Sequence, residues 1–291
     1  MAAANAVLAW CSLLLTNTHR PTMLAQRLLV AIIIIPVAIL FAWLGGWFLA
    51  VALAALLGFA AWEYWHMFAQ GGYRPSLPVL VGGTALLLLM RQASGFEGSD
   101  WLISVFVLVA MTVQVAHQEK GLNTSALDFN ITLGGILYLG WLGGYLVSIR
   151  NLPEGLWWVL LVVPAAGIAD SAAFFVGRAF GKHKISKRVS PNKTWEGYFG
   201  GVIAAALGTM LLAMLWNMRT PAIEYYHGLF IGMVIGALTI LGDLGESMLK
   251  RGMGVKDASQ VLPGHGGIMD RIDSWLWAAP IGYYMIHLLW L

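Results

Sequence analysis

Five acidic residues lie within or directly beside stretches that are otherwise apolar. Asp170 lies in one such stretch, Asp243 and Glu246 lie in a second, and Asp270 and Asp273 open a third. A charged side chain inside a membrane costs at least about 2.5 to 3.5 kcal/mol on insertion scales, so each acid needs a partner, a water-filled cavity or a function. Asp243 and Glu246 have the spacing i, i+3, as do Asp270 and Asp273, so each pair shares one helix face. The spacing therefore predicts two acidic faces that can converge.

Converging carboxylates favour a hard cation. A cluster of oxygen ligands without cysteine suits Mg²⁺ that holds phosphates better than it suits zinc or copper. The alternative is that the acids form internal ion pairs with basic residues nearby in the sequence. We expect two principal metal ligands, Asp243 and Asp270, and three supporting acids, Glu246, Asp273 and Asp170.

Glu63 is interpreted differently from these five acids. It lies among Trp62, Tyr64 and Trp65 at the end of an apolar stretch. Aromatic residues of this kind are typical of the membrane interface, where a carboxylate can reach water. We therefore predict an interfacial, structural role for Glu63.

The segment 178–197 is polar and basic between two apolar stretches. Its Ser-Pro pair, followed by Thr194 and Glu196, is typical of a helix start, where free backbone amides and the positive end of the helix dipole favour an anion. Part of the charge is explained by topology alone, because cytosolic loops are generally basic. The candidate substrate-binding residues of this segment are Arg178, Lys182, Ser190, Lys193, Thr194 and Glu196.

The segment 249–274 is the second polar interruption. Its cations can bind phosphates, and its glycines allow a ligand to approach the backbone closely. Together with the two acidic faces, these residues predict a metal and polyphosphate site at the membrane surface. The candidate catalytic residues are Lys250, Arg251, Lys256, His265 and Arg271, and the candidate substrate-binding glycines are Gly264, Gly266 and Gly267.

The elements that position these residues must be membrane helices. The chain has 291 residues, of which 59% are hydrophobic and only 11% are charged, and its mean hydropathy is +0.75. These values exclude a soluble or disordered protein. We predict an all-α polytopic integral membrane protein with about nine transmembrane helices. The predicted spans are 28–44, 47–67, 77–90, 101–116, 131–149, 155–176, 198–218, 227–248 and 275–291.

The basic residues predict the orientation of these spans. With nine spans, all 17 Lys and Arg residues fall on one side except Arg91, Arg150 and Arg219. Cytosolic loops carry the excess of positive charge, so the N-terminus is expected in the cytosol and the C-terminus outside. Omission of the short third span weakens this asymmetry, which favours retaining it. Both polar segments then face the cytosol.

Residues 1–22 precede the first predicted span and are not part of any span. Residues 1–22 lack the basic region and cleavage pattern of a signal peptide, and Met23 directly precedes the first span. We therefore interpret 1–22 as an N-terminal extension or tail and 23–291 as a single membrane domain, with the catalytic part in 156–291. The single cysteine, Cys11, cannot form an internal disulfide.

The run from Ser247 to Asp273, SMLKRGMGVKDASQVLPGHGGIMDRID, resembles the signature of phosphatidate cytidylyltransferases, also called CDP-diacylglycerol synthases. The upstream SPNKTWEG run is similar to that family as well, except that Asn192 stands where a second lysine is expected. The resemblance extends from about Met23 to the C-terminus and is strongest in the catalytic part.

The resemblance implies a reaction and its partners. CTP and phosphatidate would give CDP-diacylglycerol and pyrophosphate, with Mg²⁺, alone or with a second cation, as cofactor. The protein would be a homodimer in a bacterial cell (inner) membrane, with its active site on the cytosolic face and membrane lipid around it. No nucleic acid is expected as a partner.

Two other functions remain open on the residues alone. A CTP-dependent lipid kinase would use a similar site but would need a base to activate a neutral hydroxyl. A transporter would use the intramembrane acids to relay ions or protons. The clustering of the polar residues at one membrane face and the long signature favour the cytidylyltransferase.

Overall fold

The computed structural model describes residues 23–259, 261 and 266–291 of the chain. Predictions for residues 1–22, Gly264 and His265 therefore lie outside the described residues. Within the described part, the regular elements are all helices, and an isolated β bridge joins Lys184 and Thr194.

The described residues form ten α-helices. They are α1 (Met23–Leu44), α2 (Gly46–Gln70), α3 (Leu77–Ser94), α4 (Glu97–Glu119), α5 (Ser125–Gly135), α6 (Leu142–Arg150), α7 (Gly155–Phe180), α8 (Trp195–Asn217), α9 (Tyr225–Gly252) and α10 (Met269–Leu289). A π-helical segment, Ile136–Trp141, joins α5 to α6, so that Ser125–Arg150 forms one continuous span. Lipid offers the backbone no hydrogen-bond partner, which is why these apolar stretches are helical.

Seven of the described helices are long and apolar enough to cross a membrane. They correspond to the second to eighth predicted spans, including the short third one, which extends over Leu77–Ser94. The first and ninth predicted spans also form helices, α1 and α10, but neither is among the seven. In α1 the described apolar part is only Ile34–Leu44, and α10 begins with charged residues. The predicted integral membrane fold is confirmed at this coarser level.

Helices α7, α8 and α9 approach one another closely through glycines. A Cβ added at Gly201 of α8 would lie 2.8 Å from the carbonyl oxygen of Ala169 in α7. A Cβ added at Gly236 of α9 would lie 3.1 Å from the Cα of Val202 in α8. Small residues are typical of such close contacts between membrane helices. The three helices therefore form a tight unit that carries seven of the 19 candidate site residues.

Arg91 lies at the end of α3 and is almost completely buried, with 2% of its surface exposed. Its guanidinium carbon lies 3.7 Å from the ring centroid of Phe96 and 4.5 Å from that of Trp141. Such cation–π contacts stabilise a desolvated arginine. We refer to Arg91, Phe96, Trp141 and Tyr145 as the aromatic cage.

Arg150, at the end of α6, is also used within the fold. Its Nε donates a hydrogen bond to the carbonyl oxygen of Ala42 at 2.6 Å, and its Nη2 donates to that of Trp43 at 3.1 Å. These carbonyls belong to the last turn of α1, where the carbonyl oxygens of a helix lack an amide donor within the helix. Arg150 thus caps α1 with a positive charge, as the helix dipole favours.

Candidate active site

A cavity of about 610 Å³ lies between α7, α8 and α9 and beneath the loop that joins α7 to α8. One part of its wall is apolar and includes Ala169, Ala173 and Phe174 of α7. The polar part combines both signs of charge. Its polar side chains are those of Asp170, Arg178, Lys184, Ser190, Asn192, Lys193, Thr194, Tyr198, Thr239 and Asp243.

The loop between α7 and α8 folds back on itself, which directs its cations towards this cavity. The amide of Ile185 donates to the carbonyl of Lys193 at 3.0 Å, next to the bridge between Lys184 and Thr194. Thr194 is buried and caps α8, because its Oγ1 accepts a hydrogen bond from the amide of Gly197 at 3.2 Å. The predicted helix start is therefore confirmed, with α8 beginning at Trp195.

Lys193 forms an ion pair with Asp243. Its Nζ lies 2.6 Å from Asp243 Oδ2, and both side chains are partly exposed to the cavity. Ser247, one turn further along α9, donates a hydrogen bond from its Oγ to Asp243 Oδ1 at 3.3 Å. The structure thus joins one candidate metal ligand to one candidate phosphate-binding cation.

Lys250 links the two acidic helix faces. Its Nζ donates to Glu246 Oε2 at 2.7 Å within α9 and to Asp270 Oδ1 at 2.6 Å in α10. All three side chains are buried, with 11% of Lys250, 2% of Glu246 and 7% of Asp270 exposed. The two acidic faces therefore converge as predicted. Glu246 and Asp270 also form the internal ion pairs that were the alternative to metal binding.

Asp270 also organises the backbone that precedes α10. Its Oδ2 accepts hydrogen bonds from the amide of Gly267 at 2.8 Å and from the amide of Ala258 at 3.0 Å. Gly266 has a φ of +81°, a conformation that favours glycine. A Cβ at Gly266 would lie 2.8 Å from Asp270 Oδ2. The glycines here therefore allow close approach of a carboxylate of the chain itself.

Ser274, which sequence reasoning missed, connects the remaining two acids. Its Oγ donates to Asp170 Oδ2 of α7 at 2.7 Å, and its amide donates to Asp273 Oδ1 at 2.7 Å. Asp273 and Ser274 are both buried. The available signal was a hydroxyl at the spacing i, i+4 from Asp270, on the same side of the helix.

Glu196 is engaged away from the cavity. Its carboxylate accepts hydrogen bonds from the amides of Lys182 and His183, and it contacts His183 Nδ1 at 2.6 Å. It does not line the cavity described above. The observed contacts of Glu196 and of the Lys182 amide therefore hold the end of α7 against the start of α8.

The remaining predicted cations lie further from the cavity. Arg251 is exposed and donates from its Nη1 to the carbonyl of Val255 at 3.1 Å. Lys256 and Arg271 are exposed on the same polar face as the loop that precedes α10. None of these three side chains lines the cavity.

Glu63 is not interfacial, and that prediction is wrong. Its side chain is completely buried, with 0% exposed. It accepts hydrogen bonds from the amides of Ile268 and Met269 at the start of α10 and from the hydroxyl of Ser259. Aromatic neighbours suggested the interface because the sequence does not reveal which face of α2 points inward.

The oxygen ligands fit a magnesium ion that is held partly by a substrate. No three carboxylate or histidine side chains within 23–259, 261 and 266–291 are grouped to hold a metal ion by themselves. Mg²⁺ is commonly bound through only one or two carboxylates together with substrate phosphates. Glu246 Oε1 is a buried acceptor without a hydrogen-bond donor among the described residues. The chemistry of this donor set therefore fits Mg²⁺.

Comparison with known proteins agrees with the signature. A sequence model described as the cytidylyltransferase family matches residues 25–289. The phosphatidate cytidylyltransferase of Synechocystis sp. is 32% identical over 91% of this chain and 97% of its own length. The enzymes of the same name from Pseudomonas aeruginosa and Bacillus subtilis are 35% and 36% identical, over 89% and 73% of this chain and 95% and 80% of their own lengths. Because these matches cover most of the sequence, the chain belongs to the cytidylyltransferase family.

Proposed function

We propose that this protein transfers the CMP moiety of CTP to phosphatidate, giving CDP-diacylglycerol and pyrophosphate. Its family and the names of its relatives support this nucleotidyltransferase activity and give no support to a lipid kinase or a transporter. The observation that carries the proposal is the cavity in which Lys193 and Asp243 form an ion pair between membrane helices. Cations for phosphates and carboxylates for a metal ion therefore lie together at one cavity between apolar helices.

The chemistry requires positioning more than activation. A phosphate oxygen of phosphatidate is already anionic, so it can form the new bond to the α-phosphorus of CTP without a general base. The bond from that phosphorus to the leaving pyrophosphate oxygen breaks, and the electron pair stays with pyrophosphate. Lys193 and Arg178 at the cavity wall would bind phosphate oxygens and keep the two anions together.

Asp243 and Asp270 are the proposed principal ligands of Mg²⁺, with Asp170, Glu246 and Asp273 as supporting acids. The ion, alone or with a second cation, would offset the charge that develops on pyrophosphate. Asp243 faces the cavity, whereas Asp270 is held by Lys250 and the backbone of the loop. We also retain Lys250, Arg251, Lys256, His265 and Arg271 as proposed catalytic residues, within a catalytic part that spans 156–291.

The lipid substrate would enter the cavity from the side. Phe174 lines the cavity and has 60% of its surface exposed on the outside of α7. The cavity is therefore apolar on the side of α7 and cationic on the side of the loop. This arrangement suits a molecule whose acyl chains stay in lipid while its phosphate reaches Lys193.

We further propose nine spans, a cytosolic N-terminus and an outer C-terminus, which place the active site on the cytosolic face of a bacterial inner membrane. Of the three arginines on the proposed outer side, Arg91 and Arg150 are used inside the fold. Arg219 is the exposed one of the three. Because Arg91 and Arg150 do not contribute to the solvent-facing loops, the difference in exposed basic charge between the two sides is larger than the sequence count indicates. A homodimer is proposed from the family resemblance.

The activity is tested directly with purified protein in lipid nanodiscs. We expect labelled CTP and phosphatidate to give a labelled CDP-lipid and one pyrophosphate per turnover, only when a divalent cation is present. Replacement of phosphatidate by diacylglycerol or a polyprenol should abolish turnover. Transfer of the γ-phosphate to either alcohol would instead indicate a lipid kinase, and ion flux without CTP turnover would indicate a transporter.

The orientation is tested by cysteine labelling in intact cells. Cys11 is the only cysteine, so a Cys11→Ser background allows single cysteines at positions 187 and 291. A membrane-impermeant maleimide should label Leu291→Cys in intact cells and Lys187→Cys only after permeabilisation. Labelling of position 187 from outside would reverse the proposed orientation.

The two basic segments are tested with lysine variants. Lys193→Ala should lower kcat/KM for CTP by about 100-fold, because a preorganised cation is lost from the cavity wall. Lys256→Ala should also lower kcat/KM, because the basic segment that contains it is proposed to bind phosphate from outside the cavity wall. Lys120→Ala is the control, since Lys120 is an exposed lysine at the end of α4. Equal effects of all three substitutions would mean that the basic segments act only in topology.

A further inference from the structure

We propose that Glu63 is a positioning residue that fixes the loop before α10, and with it Asp270, for the transfer reaction. This inference rests on the proposed function, whereas the hydrogen bonds between Glu63 and the start of α10 are observed independently of it. Glu63 belongs to α2, far from the catalytic part in sequence, and the family signature does not include it.

Glu63 is a buried carboxylate that is satisfied mainly by backbone amides. Its Oε1 accepts from the amide of Ile268 at 3.0 Å, and its Oε2 accepts from the amide of Met269 at 2.8 Å. The hydroxyl of Ser259 also donates to Oε1. The start of α10 provides free amides and a positive dipole end, which favour a negative group at this point. A charge that is fully desolvated persists only where such donors are in place.

The contacts of Glu63 involve residues on both sides of the segment 260–265 in the sequence. Ser259 lies directly before this segment, and Ile268 and Met269 lie shortly after it. Asp270 also accepts from residues on both sides of this segment, through the amides of Ala258 and Gly267. Since Met269 directly precedes Asp270, a shift of the Glu63 carboxylate would move Asp270 relative to Lys250.

Gly267 gives separate support for this contact. A Cβ added at Gly267 would lie 2.8 Å from both carboxylate oxygens of Glu63. This spacing is below normal van der Waals contact, so a side chain at residue 267 would displace the Glu63 carboxylate from its observed position. The backbone position of Gly267 therefore depends on the side chain at residue 63.

Substitution by glutamine tests the role of the second oxygen. Glu63→Gln keeps the size of the side chain but replaces one acceptor with an NH₂ donor, so either Ile268 or Met269 loses its partner. Glu63→Asp keeps the charge but shortens the side chain, so it should restore part of the function. Asp128→Asn is a matched control, because Asp128 is also fully buried. It accepts from the amide of Arg74, between α2 and α3, and from the hydroxyl of Thr124, directly before α5, both at 2.7 Å.

Two measurements are needed on the full-length variants in nanodiscs. Hydrogen exchange of the peptide that covers 266–270 should become at least about tenfold faster in Glu63→Gln and should not change in Asp128→Asn. Turnover with CTP and phosphatidate should fall about 10- to 100-fold in kcat, with KM for phosphatidate unchanged, and Glu63→Asp should be intermediate. Asp128→Asn should lower the thermal midpoint but leave kcat close to the wild-type value.

Several outcomes would overturn the inference. Unchanged exchange at 266–270 in Glu63→Gln would show that Glu63 does not hold the loop, whatever the activity. Faster exchange with an unchanged kcat would show that Glu63 has a structural role only. The same conclusion would follow if Glu63→Gln and Asp128→Asn had the same thermal midpoint and lost the same amount of kcat. If Glu63→Gln does not fold, Gly267→Ala provides the same exchange and kcat measurements. Absence of turnover in the wild-type protein would contradict the proposed reaction. The exchange measurement would still show whether Glu63 holds residues 266–270.

Discussion

Asp243→Asn is expected to lower turnover of CTP and phosphatidate by about 1,000-fold while the protein still folds and inserts. The loss follows because asparagine keeps the size of the side chain but removes the charge that would hold Mg²⁺, a contribution of several kcal/mol. Folding should survive because Asp243 contacts only Lys193 and Ser247 in the described structure and lies at a partly exposed cavity wall. The measurement is single-turnover formation of CDP-lipid across a Mg²⁺ titration.

Asp270→Asn should lose as much turnover and should also loosen the loop before α10. Asp270 accepts from two backbone amides as well as from Lys250. Residues that act through one metal ion are not independent, so the double variant should be little worse than the worse single one. Asp100→Asn is the control, since Asp100 is an exposed acid at the start of α4. Near-normal Mg²⁺-dependent turnover in folded Asp243→Asn would move the metal site towards Asp170.

Lys250→Met is expected to be the most destabilising of the lysine substitutions. It leaves the buried carboxylates of Glu246 and Asp270 without their shared cation. Removal of one partner from a buried ion pair typically costs about 3 to 5 kcal/mol. The thermal midpoint in nanodiscs should therefore fall sharply, and turnover should fall with it because Asp270 loses its position.

A double substitution separates charge from packing in this cluster. Glu246→Gln removes one of the two carboxylates, so Glu246→Gln combined with Lys250→Met should regain part of the lost thermal midpoint. Lys120→Met is the matched control on an exposed surface, where a lysine contributes little. A thermal midpoint of Lys250→Met equal to that of Lys120→Met would contradict the role assigned to Lys250.

The spacing of the acids predicted which of them share a helix, because helix periodicity alone places Asp243 with Glu246 and Asp270 with Asp273. The convergence of the two faces on Lys250 was also predictable in outline. The partner of Asp243 was not, since Lys193 reaches it from a loop whose fold depends on the bridge between Lys184 and Thr194. Long-range contacts of this kind leave no periodic pattern in the sequence.

Glu63 shows the opposite case, in which a local pattern was misleading. Aromatic residues on both sides indicated the interface, but the carboxylate is buried against the start of α10. Only tertiary packing determines which face of an apolar helix points inward. The ends of the spans were similarly uncertain, because α10 begins with charged residues that are stabilised by the loop and by Lys250.

The aromatic cage has a consequence for how the protein is made. Arg91 leaves the ribosome before Trp141 and Tyr145, which belong to a later span. Until that span enters the bilayer, the guanidinium lacks most of its aromatic partners and α3 carries an uncompensated charge. Stable insertion of α3 therefore depends on the arrival of Ser125–Arg150, so these spans should be integrated together as one unit during biogenesis.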